Sequence, residues 1–176
     1  MDTLEEAARR VATGDAAAFR QIVKATNDSL VRLGARMLGS VSDAEDVVQE
    51  AYMKAYRSLT QGRFDGRSSV RTWLYRIVTH ASIDALRSRA RRPVLDDAAT
   101  EPSLDGVASA EAHVALRELA SWLQALPPDQ RAAVVLKSVE GLTSAEVAEV
   151  METTEGAVEQ RLVRARATLR EKRSSS

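Results

Sequence analysis

Several side chains near the C-terminus of this 176-residue chain have the types and spacing needed to read DNA bases. They are Glu159, Gln160, Val163, Arg164 and Arg166. Glutamine suits adenine, glutamate a cytosine amine, an apolar side chain a thymine methyl, and arginine guanine or a phosphate. On one exposed helix face these groups could enter a major groove, although the same pattern also fits a solvated, charged helix surface.

A helix-turn-helix is the element that would position these side chains. The last helix has an apolar stripe at steps of four, three and four residues, which predicts that its opposite side faces outward. The stripe comprises Val158, Leu162, Ala165 and Leu169. Thr154 can cap this helix, and a capping box of Thr143 and Glu146 opens a shorter helix before it. A short helix, a tight turn and a longer arginine-rich helix predict a helix-turn-helix.

The N-terminal part of the chain predicts three further helices. Apolar residues recur at helical spacing over 19–38, and Gly39 then supplies a C-cap. The Ser42–Glu45 segment has the capping-box pattern that predicts the start of the second helix. A polar, glycine-containing loop over 61–68 should end it, and Ser69 can cap the third helix.

The fold class predicted from these patterns is all-α, with two small helical domains. The first domain spans residues 1–92 and the second spans residues 109–173. Between them, residues 93–108 contain Pro102 and Gly106 but no apolar period, which predicts a flexible acidic linker.

In the second domain, a helix opened by Ser109 should stop at Pro127-Pro128. The second proline can occupy the first turn of the helix that follows. Before Gly141, that helix is expected to point four apolar side chains inward: Ala132, Val135, Leu136 and Val139.

The formal net charge is zero, but the charges are unevenly distributed. Over 63–92 eight arginines oppose two aspartates, whereas over 93–130 seven acidic residues oppose one arginine. The tail from residue 160 onward is basic again. Two separated basic zones favour two contacts with one polyanion.

The composition narrows the function classes. The chain has no cysteine, which excludes disulfides, thiolate metal sites and cysteine nucleophiles and favours a cytoplasmic setting. The acidic N-terminus does not resemble a secretory signal, and the chain contains no apolar run long enough to span a bilayer. His80 and His113 lie in different predicted domains and have no metal-ligand cluster or phosphate loop beside them, so neither an enzyme nor a cofactor is expected.

Three segments in this order give the chain a specific resemblance. They are DAEDVVQEAY over 43–52, VRTWLYRIV over 70–78 continuing to IDALR over 83–87, and LPPDQR over 126–131 continuing through Leu142 and Thr143 to RLVRAR over 161–166. The sequence resembles bacterial sigma factors of the extracytoplasmic-function (ECF) group in the sigma-70 family. The resemblance implies a first domain that binds core RNA polymerase and opens the promoter, and a second that reads the minus-thirty-five element.

The resemblance also implies roles for residues of the first domain. The polymerase contacts of the family fall here on Asp43, Asp46, Gln49 and Glu50. The last three share one helix face by their spacing. The minus-ten contacts fall on the third helix and the loop before it, at Phe64, Arg76, His80, Asp84 and Arg87. Basic groups can follow the phosphates of a melted strand, and an aromatic ring can meet an unstacked base. Trp73 and Tyr75 are expected to be packing residues.

This sequence departs from the family pattern at four positions. His80 stands where Asn is frequent, Glu152 where Gly is frequent in the turn, and Ala157 and Glu159 where Thr and Lys are frequent. Glycine relieves left-handed strain that glutamate does not, so the turn is expected to differ locally, and the changes at Glu152 and Glu159 are expected to alter the promoter sequence preferred. The resemblance finally implies an anti-sigma partner. A free-standing helix-turn-helix regulator and a helical protein adaptor are the alternatives, and the adaptor would leave both arginine zones unexplained.

Overall fold

The computed structural model of the chain describes residues 3–91 and 120–174. In the first range, the α-helices are α1 (Leu4–Ala12), α2 (Phe19–Leu38), α3 (Val41–Thr60) and α4 (Val70–Arg91). In the second range, residues 120–124 are helical and are followed by α5 (Pro128–Val134), α6 (Ser144–Val150) and α7 (Glu155–Ser174). The predicted all-α class is confirmed. The predicted linker and the predicted helix start at Ser109 lie outside the described residues.

Helices α2, α3 and α4 form the first domain, with α1 packed beside them. Gly39 ends α2 with a φ of 76°, and its N–H donates to Ala35 O, as the predicted cap requires. At α3 the predicted cap is wrong by two residues. Ser40, not Ser42, precedes the helix, and its Oγ accepts from the N–H of Asp43. Ser40 follows the left-handed Gly39 and has an extended backbone, which is the conformation of a residue that caps a helix.

The N-terminal helix α1 has no counterpart among the predicted elements. It is short, and its buried face is made mainly of alanine, so it carries a weak apolar period: Ala7, Ala8 and Val11. The signal that identifies it is the cap, because Thr3 Oγ1 accepts from the N–H of Glu6. Helix formation here depends on packing against α2, α3 and α4.

The second domain departs from an ideal helix after α5. Pro128 occupies the first turn of α5 as predicted, but residues 135–139 form a π-turn with Glu140 N–H donating to Val135 O. The extra residue in the turn changes the register. Val135 and Leu136 are buried, whereas Val139, predicted to face inward, is 41% exposed.

The turn between α6 and α7 completes a helix-turn-helix, as predicted. Thr143 and Glu146 form the capping box of α6, and Thr154 Oγ1 accepts from Ala157 N–H at the start of α7. Glu152 in the turn has a φ of 50°, so its backbone keeps the left-handed conformation that glycine would adopt without strain. Strain at this residue is therefore retained, and its carboxylate oxygens lie 3.8 Å from Arg76 Nη1 and from His80 Nε2 of α4.

Arg131 of α5 joins the ends of two helices. Its side chain is only 4% exposed and donates to the backbone oxygens of Gln124, Leu126 and Met37, and to Gln124 Oε1. Gln124 and Leu126 end one helix of the second domain, and Met37 belongs to the last turn of α2. Free carbonyls at helix C-termini attract a cation. Burial lowers the pKa of Arg131 to about 10, which leaves the guanidinium charged near neutral pH.

Candidate DNA and polymerase interfaces

The exposed face of α7 is built from residues opposite its buried stripe. Val158, Leu162 and Ala165 are buried, and Leu169 packs against the same core. Four of the predicted DNA-reading side chains are exposed as expected: Gln160, Val163, Arg164 and Arg166. Val163 is 60% exposed, so its methyl groups are available to contact a thymine methyl. Helical spacing places Gln160, Val163 and Arg164 on the side directly away from the core.

Glu159 and Arg161 flank this face and are held by the protein itself. Ser144 Oγ donates to Glu159 Oε1 at 2.5 Å, which ties α7 to the start of α6. On the other flank, Arg161 is half-buried and donates to Thr153 Oγ1 at 3.2 Å. Glu159 is still exposed and remains within reach of a groove. Arg161 is directed toward the turn instead.

A second stripe runs along α4. Arg76, His80, Asp84 and Arg87 follow one another at steps of four, four and three residues, so they share one side of the helix. Arg76 and His80 are half-buried, while Asp84 and Arg87 are exposed. The fold thus brings together four of the five predicted minus-ten residues.

The fifth predicted residue, Phe64, lies in the loop before α4. Its ring centroid is 4.6 Å from that of Trp73, with the rings tilted by 38°. Both residues are half-buried, and Tyr75 is only 6% exposed, which confirms that Trp73 and Tyr75 take part in packing. Trp73 precedes Arg76 by three residues, so the pair lies at the N-terminal end of the α4 stripe.

The acidic residues on α3 do not share one environment. Asp46, Gln49 and Glu50 are exposed, as a binding face requires. Asp43 is half-buried, with an oxygen 2.6 Å from Arg89 Nη2 of α4. Burial raises the pKa of Asp43, but hydrogen bonds from Arg89 and Ser40 outweigh burial and leave that pKa below its usual value. Asp43 therefore stabilises the α3–α4 contact as well as bordering the acidic face.

Glu140 of the second domain contacts two residues of the first domain and was not predicted as a functional position. Arg36 of α2 forms an ion pair with its carboxylate, and Tyr75 Oη of α4 donates to Glu140 Oε2 at 3.0 Å. Burial raises the pKa of Tyr75, and the nearby Glu140 carboxylate raises it further. No local sequence pattern marks Glu140, because its partners are distant in the chain and meet it only in the folded protein.

Comparison with known families accounts for both domains. The model of Sigma-70 region 2 matches residues 22–92, and the model of Sigma-70, region 4, matches residues 116–169. These two matches, together with relatives that are ECF RNA polymerase sigma factors, show that the chain belongs to the ECF group of the sigma-70 family. The α3 face and the α4 stripe of this sigma factor fall within region 2, and the α7 face falls within region 4.

Full-length relatives have similar sequences. The sigma factor is 37% identical over 175 residues to the ECF RNA polymerase sigma factor SigW of Bacillus subtilis, with 92% of each chain covered. It is 35% identical over 169 residues to the ECF RNA polymerase sigma-E factor of Escherichia coli K12, covering 89% of this chain and 87% of the relative.

Solved structures show the same fold. CnrH in complex with the cytosolic domain of CnrY matches with a TM-score of 0.70 at 28% identity, over 97% of this sigma factor and 96% of that chain. RpoE of Bartonella quintana with the anti-sigma factor NepR matches with a TM-score of 0.67 at 25% identity, over 87% and 94% respectively. In the described parts of the sigma factor, no helix is long and apolar enough to cross a membrane.

Proposed function

We propose that this chain binds core RNA polymerase and directs promoter-specific initiation of transcription. The domain of residues 1–92 binds the polymerase and recognises and melts the minus-ten element, and the domain of residues 109–173 reads the minus-thirty-five element. The observation that carries this proposal is the presence of region 2 and region 4 in family order in one chain. A sigma factor of this kind is not an enzyme and acts in the cytoplasm, where the polymerase is.

The charge and exposure of three surfaces support specific roles. Asp46, Gln49 and Glu50, with Asp43 at their edge, offer acidic and polar groups to a basic surface of the polymerase. Arg76, His80, Asp84 and Arg87, with Phe64, are assigned to the minus-ten strand. Glu159, Gln160, Val163, Arg164 and Arg166 are assigned to the minus-thirty-five groove.

An anti-sigma factor is the second protein partner that we propose. The structural neighbours CnrH and RpoE were solved in complex with CnrY and with the anti-sigma factor NepR. This chain resembles both over most of its length. A protein of that class would compete for the polymerase-binding and DNA-binding surfaces.

Transcription in vitro tests the proposal. Core RNA polymerase, this chain and a library of promoter sequences should yield starts that share a two-part element, and core polymerase alone should yield none. A high-affinity footprint of the chain without polymerase would favour the free-standing regulator. An interaction that is insensitive to salt would indicate the protein adaptor, because phosphate contacts weaken steeply with salt.

Replacing Arg164 should weaken recognition of the upstream element alone. Arg164 is exposed on the outward face of α7, so Arg164→Ala removes a DNA contact without opening the core. We expect about a 10-fold loss of holoenzyme affinity for promoters with the upstream element, since a good arginine contact has roughly that effect. Promoters in which that element is replaced should show no further loss.

The matched control is Arg20→Ala, which removes one exposed arginine from α2 in the first domain. Affinity would be measured by anisotropy of labelled promoter DNA at fixed salt. An equal loss of affinity for both variants would mean that Arg164 acts only through the net charge of the protein. That result would contradict the assignment of the α7 face.

A further inference from the structure

Glu159 is the acidic residue among the five side chains assigned to the minus-thirty-five groove. Phosphates line the rims of a major groove, so a carboxylate that enters the groove is repelled unless a base donates a hydrogen bond to it. Adenine and cytosine both present an amino group there, but adenine places the acceptor N7 beside its amino group. The amino group of cytosine, on N4, is therefore the base donor that suits Glu159 best.

The carboxylate of Glu159 is held at one of its two oxygens. Ser144, the first residue of α6, is half-buried, and its Oγ donates to Glu159 Oε1 at 2.5 Å. This distance is typical of a charge-assisted hydrogen bond between a hydroxyl and a carboxylate. Within the described residues, Oε2 of Glu159 has no hydrogen-bond partner. One oxygen is thus bound by the protein, and the other is available to a base.

The capping box of α6 leaves the Ser144 hydroxyl free to make this contact. Thr143 Oγ1 donates to Glu146 Oε2 and accepts from the N–H of Glu146, so these two residues satisfy each other. A serine hydroxyl has a single hydrogen to donate. In Ser144 that hydrogen is directed across to α7 rather than to the backbone of its own helix.

Contacts on both sides of α7 fix the direction in which Glu159 points. Val158 and Leu162 are buried on the inner side, and Arg161 donates to Thr153 Oγ1 at 3.2 Å on the flank opposite Ser144. The helix therefore cannot turn about its axis without breaking these contacts. A free glutamate loses rotamer freedom when it meets a base, whereas a glutamate that is already held loses less.

We propose that Ser144 is a positioning residue for base recognition. It holds Oε1 of Glu159, so that Oε2 accepts a hydrogen bond from N4 of a cytosine in the minus-thirty-five element. Ser144 does not touch DNA and acts only through Glu159. This role rests on the proposed function, because it names the base that one residue of the second domain reads.

Three variants and one control test this role. Ser144→Ala removes the hydroxyl and leaves a good helix former at the start of α6. Ser144→Thr keeps the hydroxyl and is the conservative rescue. Glu159→Ala removes the carboxylate. Ser138→Ala, which removes an exposed hydroxyl elsewhere in the second domain, is the matched control.

Base preference is the measurement that decides. Holoenzyme made from core RNA polymerase and the full-length chain would bind promoter DNA randomised over the minus-thirty-five element, and the bound DNA would be sequenced. The wild-type chain should prefer cytosine at one position by about 10-fold, as a hydrogen bond to a charged acceptor allows. That preference should disappear in Glu159→Ala and fall to roughly 2- to 3-fold in Ser144→Ala. It should persist in Ser144→Thr and in Ser138→Ala.

Two further results separate positioning from a structural effect. The double variant Ser144→Ala/Glu159→Ala should match Glu159→Ala at that position, because Ser144 acts only through Glu159. Glu159→Ala also removes a negative charge near the phosphates, so its affinity for elements without the cytosine should rise. Damage to the fold would instead lower the affinity for every sequence alike.

The possible failures are distinguishable. An enriched element without a cytosine that depends on Glu159 overturns the base assignment. A cytosine preference that Glu159→Ala abolishes and Ser144→Ala leaves intact overturns positioning by Ser144, and so does a uniform loss of affinity in Ser144→Ala with an unchanged base preference. If wild-type holoenzyme enriches no upstream element, the proposed function itself is contradicted, and the role of Ser144 falls with it.

Discussion

Arg131→Met should lower the free energy of unfolding of the second domain by about 3 kcal/mol. Methionine fills a similar volume but donates no hydrogen bond. The backbone oxygens of Gln124, Leu126 and Met37 then lose their charged donor inside the protein. Buried acceptors without partners cost more than the ordinary worth of a hydrogen bond.

The two tryptophans make this prediction measurable domain by domain. Trp73 lies in the first domain and Trp122 in the second, and the chain has no others. Urea unfolding followed by Trp122 fluorescence in a Trp73→Phe background should show the full loss. Trp73 fluorescence in a Trp122→Phe background should show a much smaller one.

Arg131→Lys is the matched comparison for this residue. Lysine keeps the charge but lacks the planar fork that reaches two helix ends at once, so it should recover only part of the stability. A loss below about 1 kcal/mol in Arg131→Met would show that the carbonyls find other donors and would contradict the role assigned to Arg131.

The sequence predicted the helices correctly wherever a capping residue occurs together with a helical spacing of apolar residues. Gly39, Ser69 and the Thr143–Glu146 box mark real helix ends because each cap satisfies backbone groups within a few residues. The misplaced cap at α3 and the missed helix α1 come from weak or competing local signals. The prediction that Val139 points inward is wrong for a different reason, since a π-turn changes which side of a helix faces the core.

Helical spacing predicted which side chains of the candidate surfaces point outward, but not which other residues they contact. Spacing alone predicts that Gln160, Val163 and Arg164 point outward, and they do. Spacing does not reveal that Ser144 holds Glu159, that Arg89 holds Asp43, or that Glu140 joins the two domains. These contacts join residues far apart in sequence, so they depend on tertiary packing and on how the domains meet.

Glu50→Lys should reduce binding of the chain to core RNA polymerase by roughly 100-fold, because reversing one charge places like charges opposite each other in the interface. Glu50 is exposed on α3, one turn beyond Asp46, so the change opens no cavity and breaks no buried contact. Binding would be followed by displacement of a labelled wild-type chain from core polymerase.

Glu45→Lys is the control that distinguishes an effect of the position of Glu50 from an effect of the total charge of α3. Glu45 is exposed on the same helix and carries the same charge, but its spacing places it to the side of the face shared by Asp46, Gln49 and Glu50. A small effect of Glu45→Lys beside a large effect of Glu50→Lys assigns the loss to that face. Unchanged affinity of Glu50→Lys would remove the acidic face from the polymerase contact. Equal losses would mean that the overall charge of α3, rather than one face, attracts the polymerase.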